Sequence, residues 1–281
     1  MGHWIFMISF LSVAFSAFAQ EPDTTLGWKN EIVGTLNLTQ ASFDNWQQGG
    51  ENTLAWQVTL NAGFILQQEK FNWTTKSKFT FGFAKVEGSE AKKSADEIKI
   101  ESVYIRKLGR ALNPFFSVTA QTQAVAAFEF NDDGSKTQIS KFLDPAYFTQ
   151  SAGVGYKPGD IFQTRLGATI KETITRDFPQ PFADDPGTLD VEKTKVEPGI
   201  SSVTEFRIPL HENIVLNSKL DIFSDFEGFD RIDVLWENNL TMKVSKLINV
   251  AVTADLFYDK DISERRQIRQ ILAIGFTYSF L

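Results

Sequence analysis

Apolar and polar residues alternate along most of this chain with a period of two. From Trp28, the positions Trp28, Ile32, Leu36 and Leu38 fall on one face and Lys29, Glu31, Thr35, Asn37 and Thr39 on the other. That is the pattern of a strand whose two sides meet different surroundings. Between 53 and 66, Leu54, Trp56, Val58, Leu60, Ala62 and Phe64 oppose Thr53, Gln57, Thr59 and Asn61. Phe71, Trp73, Phe79, Phe81 and Phe83 then oppose Asn72, Thr74, Lys76, Lys78 and Thr80. Late in the chain, Ile232, Val234, Trp236, Leu240, Met242 and Val244 oppose Arg231, Asp233, Glu237, Asn239, Thr241 and Lys243. Segments of the same kind cover 97–107, 114–127, 147–157, 161–173, 198–210, 213–226, 249–259 and 268–280, which makes twelve strands. The segments 97–107 and 198–210 are the faintest. The first of these and the poorly defined region 174–198 leave ten or fourteen strands as alternatives.

A soluble sandwich also alternates, so three further features decide the surroundings. The segments run to about 11 to 15 residues, longer than ordinary globular strands and long enough to cross a bilayer at a tilt. The connections alternate in length: 67–70, 108–113, 157–160, 209–212 and 245–247 are short, whereas 41–52, 85–96, 129–146, 174–198 and 260–266 are mostly long. Short turns on one rim and long loops on the other belong to an outer-membrane barrel. The tight connection 227–229 is an exception. Aromatic residues, among them Trp28, Trp73, Phe162, Phe81, Phe226 and Tyr258, fall near strand ends as interfacial girdles require. Hydrocarbon offers no partner for an unpaired backbone group, so such a sheet must close on itself. The expected fold is therefore all-β: an antiparallel transmembrane β-barrel of about twelve strands in the outer membrane of a Gram-negative bacterium. An even strand number puts both termini on the periplasmic side.

The N-terminus fits that destination. Trp4 to Phe18 carries no charge, and Ala17-Phe18-Ala19 supplies the small-x-small pattern of a signal-peptidase site. Residues 1–19 are expected to be a cleaved signal peptide and 20–281 the barrel domain.

Composition removes several chemistries. Among 281 residues there is no cysteine, which excludes a disulfide scaffold, a thiolate metal site and a cysteine nucleophile. Histidine occurs twice, as His3 in the leader and as His211. A net charge of −7 gives no reason to expect a nucleic-acid partner. An outer-membrane lipid hydrolase or protease is the enzyme reading to weigh, because barrels of twelve strands include phospholipases that use His with Ser on the lipid-facing wall. His211 instead falls in a predicted periplasmic turn beside Pro209 and Leu210, and no Gly-x-Ser-x-Gly elbow occurs. The chain does not read as an enzyme. Asp132-Asp133 and Asp184-Asp185 lack the spacing of a calcium loop and read as solvated charge, so no metal or cofactor is expected.

The first long loop reads Asn45-Trp46-Gln47-Gln48-Gly49-Gly50-Glu51-Asn52. It resembles the N-W-x-x-G-G-E-N signature of an uncharacterised family of Gram-negative outer-membrane barrels, a domain of unknown function. Supporting stretches are Lys93-Ser94-Ala95-Asp96, Phe142 to Tyr147, Gly155 to Pro158, Glu212-Asn213-Ile214 and Tyr258 to Asp261. The resemblance implies an exported barrel and carries no activity. From the residues themselves, Asn45, Trp46, Gly49, Gly50, Glu51 and Asn52 suit a specific turn, the glycines taking positive φ and Trp46 anchoring the loop. The functional alternative makes Trp46, Glu51 and Asn52 contacts for an external ligand. The last strand, Ala273 to Phe280, resembles the C-terminal signal of the outer-membrane assembly machinery, with Gly275, Tyr278 and Phe280 at its Gly-x-x-aromatic-x-aromatic positions. That machinery and outer-membrane lipid are the expected partners.

The polar face carries both signs of charge: Lys76, Lys78, Arg165, Lys171, Glu205, Arg207, Lys219, Asp221, Arg231, Asp233, Glu237 and Asp255, besides Lys29 and Glu31. Such residues are tolerable toward a lumen and prohibitive toward lipid. Eight strands leave an interior filled by side chains and 16 to 18 leave a channel, so twelve is the ambiguous size. Two readings follow. One is a small passive channel for polar solutes; the other is a non-conducting barrel, plugged by interior ion pairs, that serves as a scaffold or binds through its long loops.

Overall fold

The computed structural model describes residues 26–42, 51–109, 112–131, 134–180, 182–185, 187–226, 232–260 and 263–280. Alternation becomes fourteen strands: β1 (Gly27–Ala41), β2 (Thr53–Gln67), β3 (Phe71–Val86), β4 (Lys92–Arg106), β5 (Leu112–Thr122), β6 (Ala127–Phe130), β7 (Lys136–Ser140), β8 (Ala146–Tyr156), β9 (Phe162–Ile174), β10 (Thr194–His211), β11 (Ile214–Asp225), β12 (Ile232–Lys243), β13 (Ile248–Asp259) and β14 (Ser263–Ser279). Twelve of them close one antiparallel barrel; β6 and β7 form a separate hairpin between β5 and β8. The ends of the chain make the closure, β1 pairing with β14 from Val33↔Ser279 to Leu38↔Ile274. Both termini of the barrel therefore lie on one rim, called here the terminal rim, together with the connections 68–70, 157–161, 212–213 and 244–247. The opposite rim carries the long connections 42–52 and 175–193 and the excursion through β6 and β7, beside short ones at 87–91 and 260–262, and is called the loop rim.

Three expected loops change. The span 85–96 is mostly strand, since β3 runs to Val86 and β4 starts at Lys92, with a register shift at Gly82/Phe83 absorbing the irregular pattern that made this region hard to read. The span 129–146 contains β7 and the end of β6, and β14 starts at Ser263, inside the expected loop 260–266. Segment 97–107 is not marginal: all of it but Lys107 belongs to the 15-residue β4. Phe81, expected near a strand end, lies well inside β3, edge-on to Trp56 and Phe83. The leader and its cleavage site fall outside the described residues.

The core is inverted relative to a soluble domain. Among the described residues, fourteen buried residues are polar or charged, including Arg165, Glu197, Asp255 and Asp259, and seven, glycines and Pro145 aside, are apolar. The large hydrophobic side chains stand outside, as with Leu166, Ile274 and Leu272, the last 69% exposed. Buried charge is tolerable where it is paired or wetted, and so continuous an exposed apolar surface is the mark of a wall built to be covered.

The loop rim is fastened by buried carboxylates. Asp144, 1% exposed, accepts hydrogen bonds from the backbone N–H of Arg176 at 2.9 Å and of Asp177 at 2.8 Å, tying the turn before β8 to the one after β9. Asp96 accepts from the N–H groups of Ala124 and Val125 and from Lys93 Nζ. Gln123 donates to the carbonyls of Lys141 and Asp144. Charge-assisted bonds of this kind are the stronger ones and leave the turn amides satisfied.

Candidate functional site

The inner wall is organised as a girdle of charge. Cross-strand register sets Glu205 on β10 opposite Lys219 on β11, Lys219 opposite Glu237 on β12, Glu237 opposite Asp255 on β13, and Asp255 opposite Arg269 on β14. Strand pleating then forces all five side chains to the same face. On the facing wall Lys76 of β3 stands opposite Glu101 of β4, with Lys78 and Lys99 one step along.

These two arcs meet across the lumen. Lys219 Nζ lies 3.4 Å from Glu101 Oε2, Lys78 Nζ 3.8 Å from Glu237 Oε1, and Lys76 Nζ 3.8 Å from Glu205 Oε2. In the twelve-strand ring each of these contacts joins strands five places apart, almost opposite walls. Arg165 on β9 adds two bonds, 2.7 Å to Glu101 Oε1 and 3.6 Å to Glu205 Oε1, and Lys78 also binds Glu97 at 2.8 Å. Side chains reach each other at contact distance across the interior, so the lumen is crossed by ion pairs at this level.

A second cluster lies toward the loop rim. Lys171 on β9 binds Asp233 on β12 at 2.5 Å, Asp259 on β13 at 3.6 Å and Glu197 on β10 at 3.8 Å, and Lys195 binds Glu197 at 2.9 Å. One lysine thus gathers carboxylates from three strands.

Glycines make room for aromatic platforms beneath the cations. A Cβ on Gly199 would lie 2.2 Å from the Ser224 carbonyl oxygen and 2.7 Å from the Phe223 ring; only hydrogen fits there, and the Lys171 ammonium stands 5.4 Å from that ring. Phe115 repeats the arrangement over Gly167, with the Arg165 guanidinium 5.7 Å from its centroid. Aromatic cover of a strand glycine combined with a cation above the ring fixes the direction of both cations.

The expected lumen residues are distributed unevenly. Lys76, Lys78, Arg165, Glu205, Lys219, Glu237 and Asp255 lie in the girdle and its crossings, and Lys171 and Asp233 in the second cluster. Asp221 shares the face of Lys219 two residues along β11, opposite Val203 and Leu235. Arg207 stands apart from the girdle, exposed toward the terminal rim, with Asn217 Oδ1 at 3.4 Å. Arg231 falls outside the described residues. Glu97, Glu101, Glu197, Asp259 and Arg269 were absent from the expected set. Their signal was the same polar parity, most legible in Glu97-Ile98-Lys99-Ile100-Glu101.

Of the loop motif, Asn45, Trp46, Gly49 and Gly50 fall outside the described residues. Glu51 is exposed, and Asn52 donates through Nδ2 to Glu87 Oε2 at 2.7 Å while its carbonyl accepts the Glu87 N–H at 2.8 Å. Asn52 thus links the first loop to the β3–β4 connection. His211 ends β10, exposed, with its Nδ1 accepting weakly from the Asn213 N–H at 3.5 Å.

A family model described as a protein of unknown function (DUF3078) matches residues 38–128, which include the Asn45 to Asn52 motif. No curated protein sequence matches the chain. Among solved structures, the translocator domain of the autotransporter NalP from Neisseria meningitidis is 13% identical, with 92% of this chain and 90% of that one covered at a TM-score of 0.41. An outer membrane channel from Pseudomonas putida F1 is 11% identical, covering 92% and 98% at 0.43. The outer membrane channel DcaP of Acinetobacter baumannii is 8% identical, at a TM-score of 0.32.

Proposed function

We propose that this chain is an integral outer-membrane barrel that is closed to ions in the conformation described and serves as a scaffold presenting its loop rim outward. The membrane placement is supported by the exposed apolar outer wall and the polar inner one, since each wall would be costly in the other's solvent. The alternation of short and long connections supports an orientation with both termini in the periplasm and the longer loops outside.

The observation that carries the closed reading is the set of contacts between nearly opposite walls, Lys219–Glu101 and Lys78–Glu237. Paired charges in a confined lumen resist separation, because parting them leaves each partner uncompensated. The girdle residues and the Lys171 cluster are the proposed functional residues, as plug rather than as solute ligands. Recording from refolded protein in a planar bilayer tests this. Insertion without steady current is expected, and a steady ohmic current with each insertion would overturn it.

Passage of small polar solutes is the second reading. It is favoured by the make-up of the plug, which is entirely side chains on a polar wall, so separation of the crossed pairs would leave a wet path. The same recording, read for intermittent openings, tells the two apart.

A further inference from the structure

We infer that the outer wall at the terminal rim of β1–β4 is a binding site for one phospholipid with a net-negative headgroup. The inference rests on the membrane placement proposed above and is independent of the closed lumen.

Two rows of outward side chains build the site. The first runs Trp28, Leu66, Trp73, Tyr104 across β1 to β4, and the second Asn30, Phe64, Thr75, Ser102. Between the two tryptophans, and bounded by Phe64 and Thr75, is a cavity of about 270 Å³. Its walls are preset. The Trp73 indole donates from Nε1 to Ser102 Oγ at 2.8 Å, and Ser102 Oγ is held by Thr75 Oγ1 at 3.0 Å, so the indole cannot swing across the opening. Trp28, 63% exposed, forms the other wall. A slot with aromatic sides opening on an apolar wall suits an acyl chain, and indoles at such a level mark the boundary between chain and headgroup.

Unspent positive charge lies on the rim side of the slot. Arg106 pairs in register with Phe71, one pleat beyond Trp73–Tyr104, and so projects from the same outer face. Phe71 stacks on Tyr104 at 5.4 Å and floors the approach. Lys70 is next in the turn, its carbonyl accepting the Lys107 N–H at 2.8 Å. Neither the Arg106 guanidinium nor the Lys70 ammonium makes a hydrogen bond or ion pair with any described residue, whereas Lys107 Nζ is used within the turn, on the Gln68 carbonyl at 2.7 Å. Glu69 is the one acid beside Lys70, Arg106 and Lys107, so the basic groups outnumber it, and Arg106 is the one that register puts on the outer face. A headgroup carrying a phosphate and no amine complements them. This commits the site to anionic phospholipid rather than to any lipid that wets the wall.

Native mass spectrometry of the barrel, released from detergent micelles doped with phosphatidylglycerol or with phosphatidylcholine, tests the site. Insertion into vesicles, read as heat-modifiable migration on a gel, is checked first. One phosphatidylglycerol should be retained per barrel in preference to phosphatidylcholine by roughly tenfold or more. The preference should vanish in the double variant Arg106→Gln, Lys70→Gln and the retained lipid should be lost in Trp28→Ala, both variants still migrating as folded barrels. Equal retention of the two lipids, or a preference untouched by the double variant, would overturn the inference while leaving the membrane placement standing. Failure to insert into vesicles would overturn both.

Discussion

Lys219 on β11 and Glu101 on β4 meet at 3.4 Å although their strands stand five places apart in a ring of twelve. Glu101 is the hub of the crossing, because Arg165 binds its other oxygen at 2.7 Å. Replacing Glu101 with Ala would leave two cations facing an emptied centre. Breaking a buried pair by removing one partner costs about 3 to 5 kcal/mol, far more than the pair itself contributes. Glu101→Ala should therefore lower the urea midpoint of the barrel in vesicles and produce current in bilayers where the parent is silent. Adding Lys219→Met should recover part of the stability, since the orphaned ammonium goes with it.

Gly199 and Phe223 predict a packing effect of opposite origin. A methyl group on Gly199 would meet the Ser224 carbonyl at 2.2 Å and the Phe223 ring at 2.7 Å, and backbone cannot retreat without opening the β10–β11 ladder. Overpacking of this kind typically costs about 1 to 3 kcal/mol. Gly199→Ala should be destabilising by that amount in equilibrium unfolding, and the double variant with Phe223→Leu should be less so. Gly63, whose Cβ would meet nothing within 4 Å, is the control that should tolerate alanine.

The barrel was legible in the sequence because its outer and inner walls differ in polarity residue by residue. Parity put Lys76, Lys219 and Glu237 on the inner face without any knowledge of their neighbours. What parity cannot state is how far along the ring a side chain reaches. Lys219–Glu101 depends on the closure register, and the bearings of Arg165 and Lys171 depend on Phe115 and Phe223, all of them long-range properties. The hub, Glu101, shares the polar parity of Glu97 and Lys99, but the residues before that run, Lys93 to Asp96, break the alternation, and the register shift at Gly82/Phe83 reconciles the two only in three dimensions. Likewise, the stretches around Asp96 and Asp144 that marked the family resemblance gave no hint of their work in tying loops together.

Glu192 gives the loop between β9 and β10 a pH response. Its carboxylate accepts from Thr188 Oγ1 at 2.6 Å and from the Asp185 N–H at 3.2 Å. These bonds, the hydroxyl first and the amide second, hold its pKa below the usual glutamate range. A depressed folded-state pKa stabilises the loop above the unfolded value, and that contribution is lost as pH falls through the folded one. Loop 175–193 should therefore become easier to cleave by protease as the solution is acidified from neutrality to below the ordinary carboxylate range. In Glu192→Gln the loop should already be easier to cleave at neutral pH and should change little further on acidification. Digestion fragments at each pH report it, with the barrel as an uncut reference.

Gln270 supplies the sharpest test of what bathes the outer wall. Register places Ser218, Asn238, Ala254 and Gln270 in one outward row across β11 to β14. The first two polar groups are satisfied: Trp236 Nε1 donates to Ser218 Oγ at 3.0 Å, Ser218 Oγ to Asn238 Oδ1 at 2.8 Å, and Asn238 Nδ2 to the Ala254 carbonyl at 3.2 Å. The Gln270 amide makes no hydrogen bond to any described residue and stands exposed between Ile268 and Leu272. In water that is harmless; in hydrocarbon an uncompensated amide costs about 1 to 3 kcal/mol on the scale of protein substitutions. Gln270→Leu should accordingly stabilise the barrel in vesicles by about that much, while Asn238→Leu, which breaks a satisfied chain, should not. Urea titrations of the two variants side by side decide the matter, because a leucine at 270 that brings no gain places this row in an aqueous or protein surrounding instead of acyl chains.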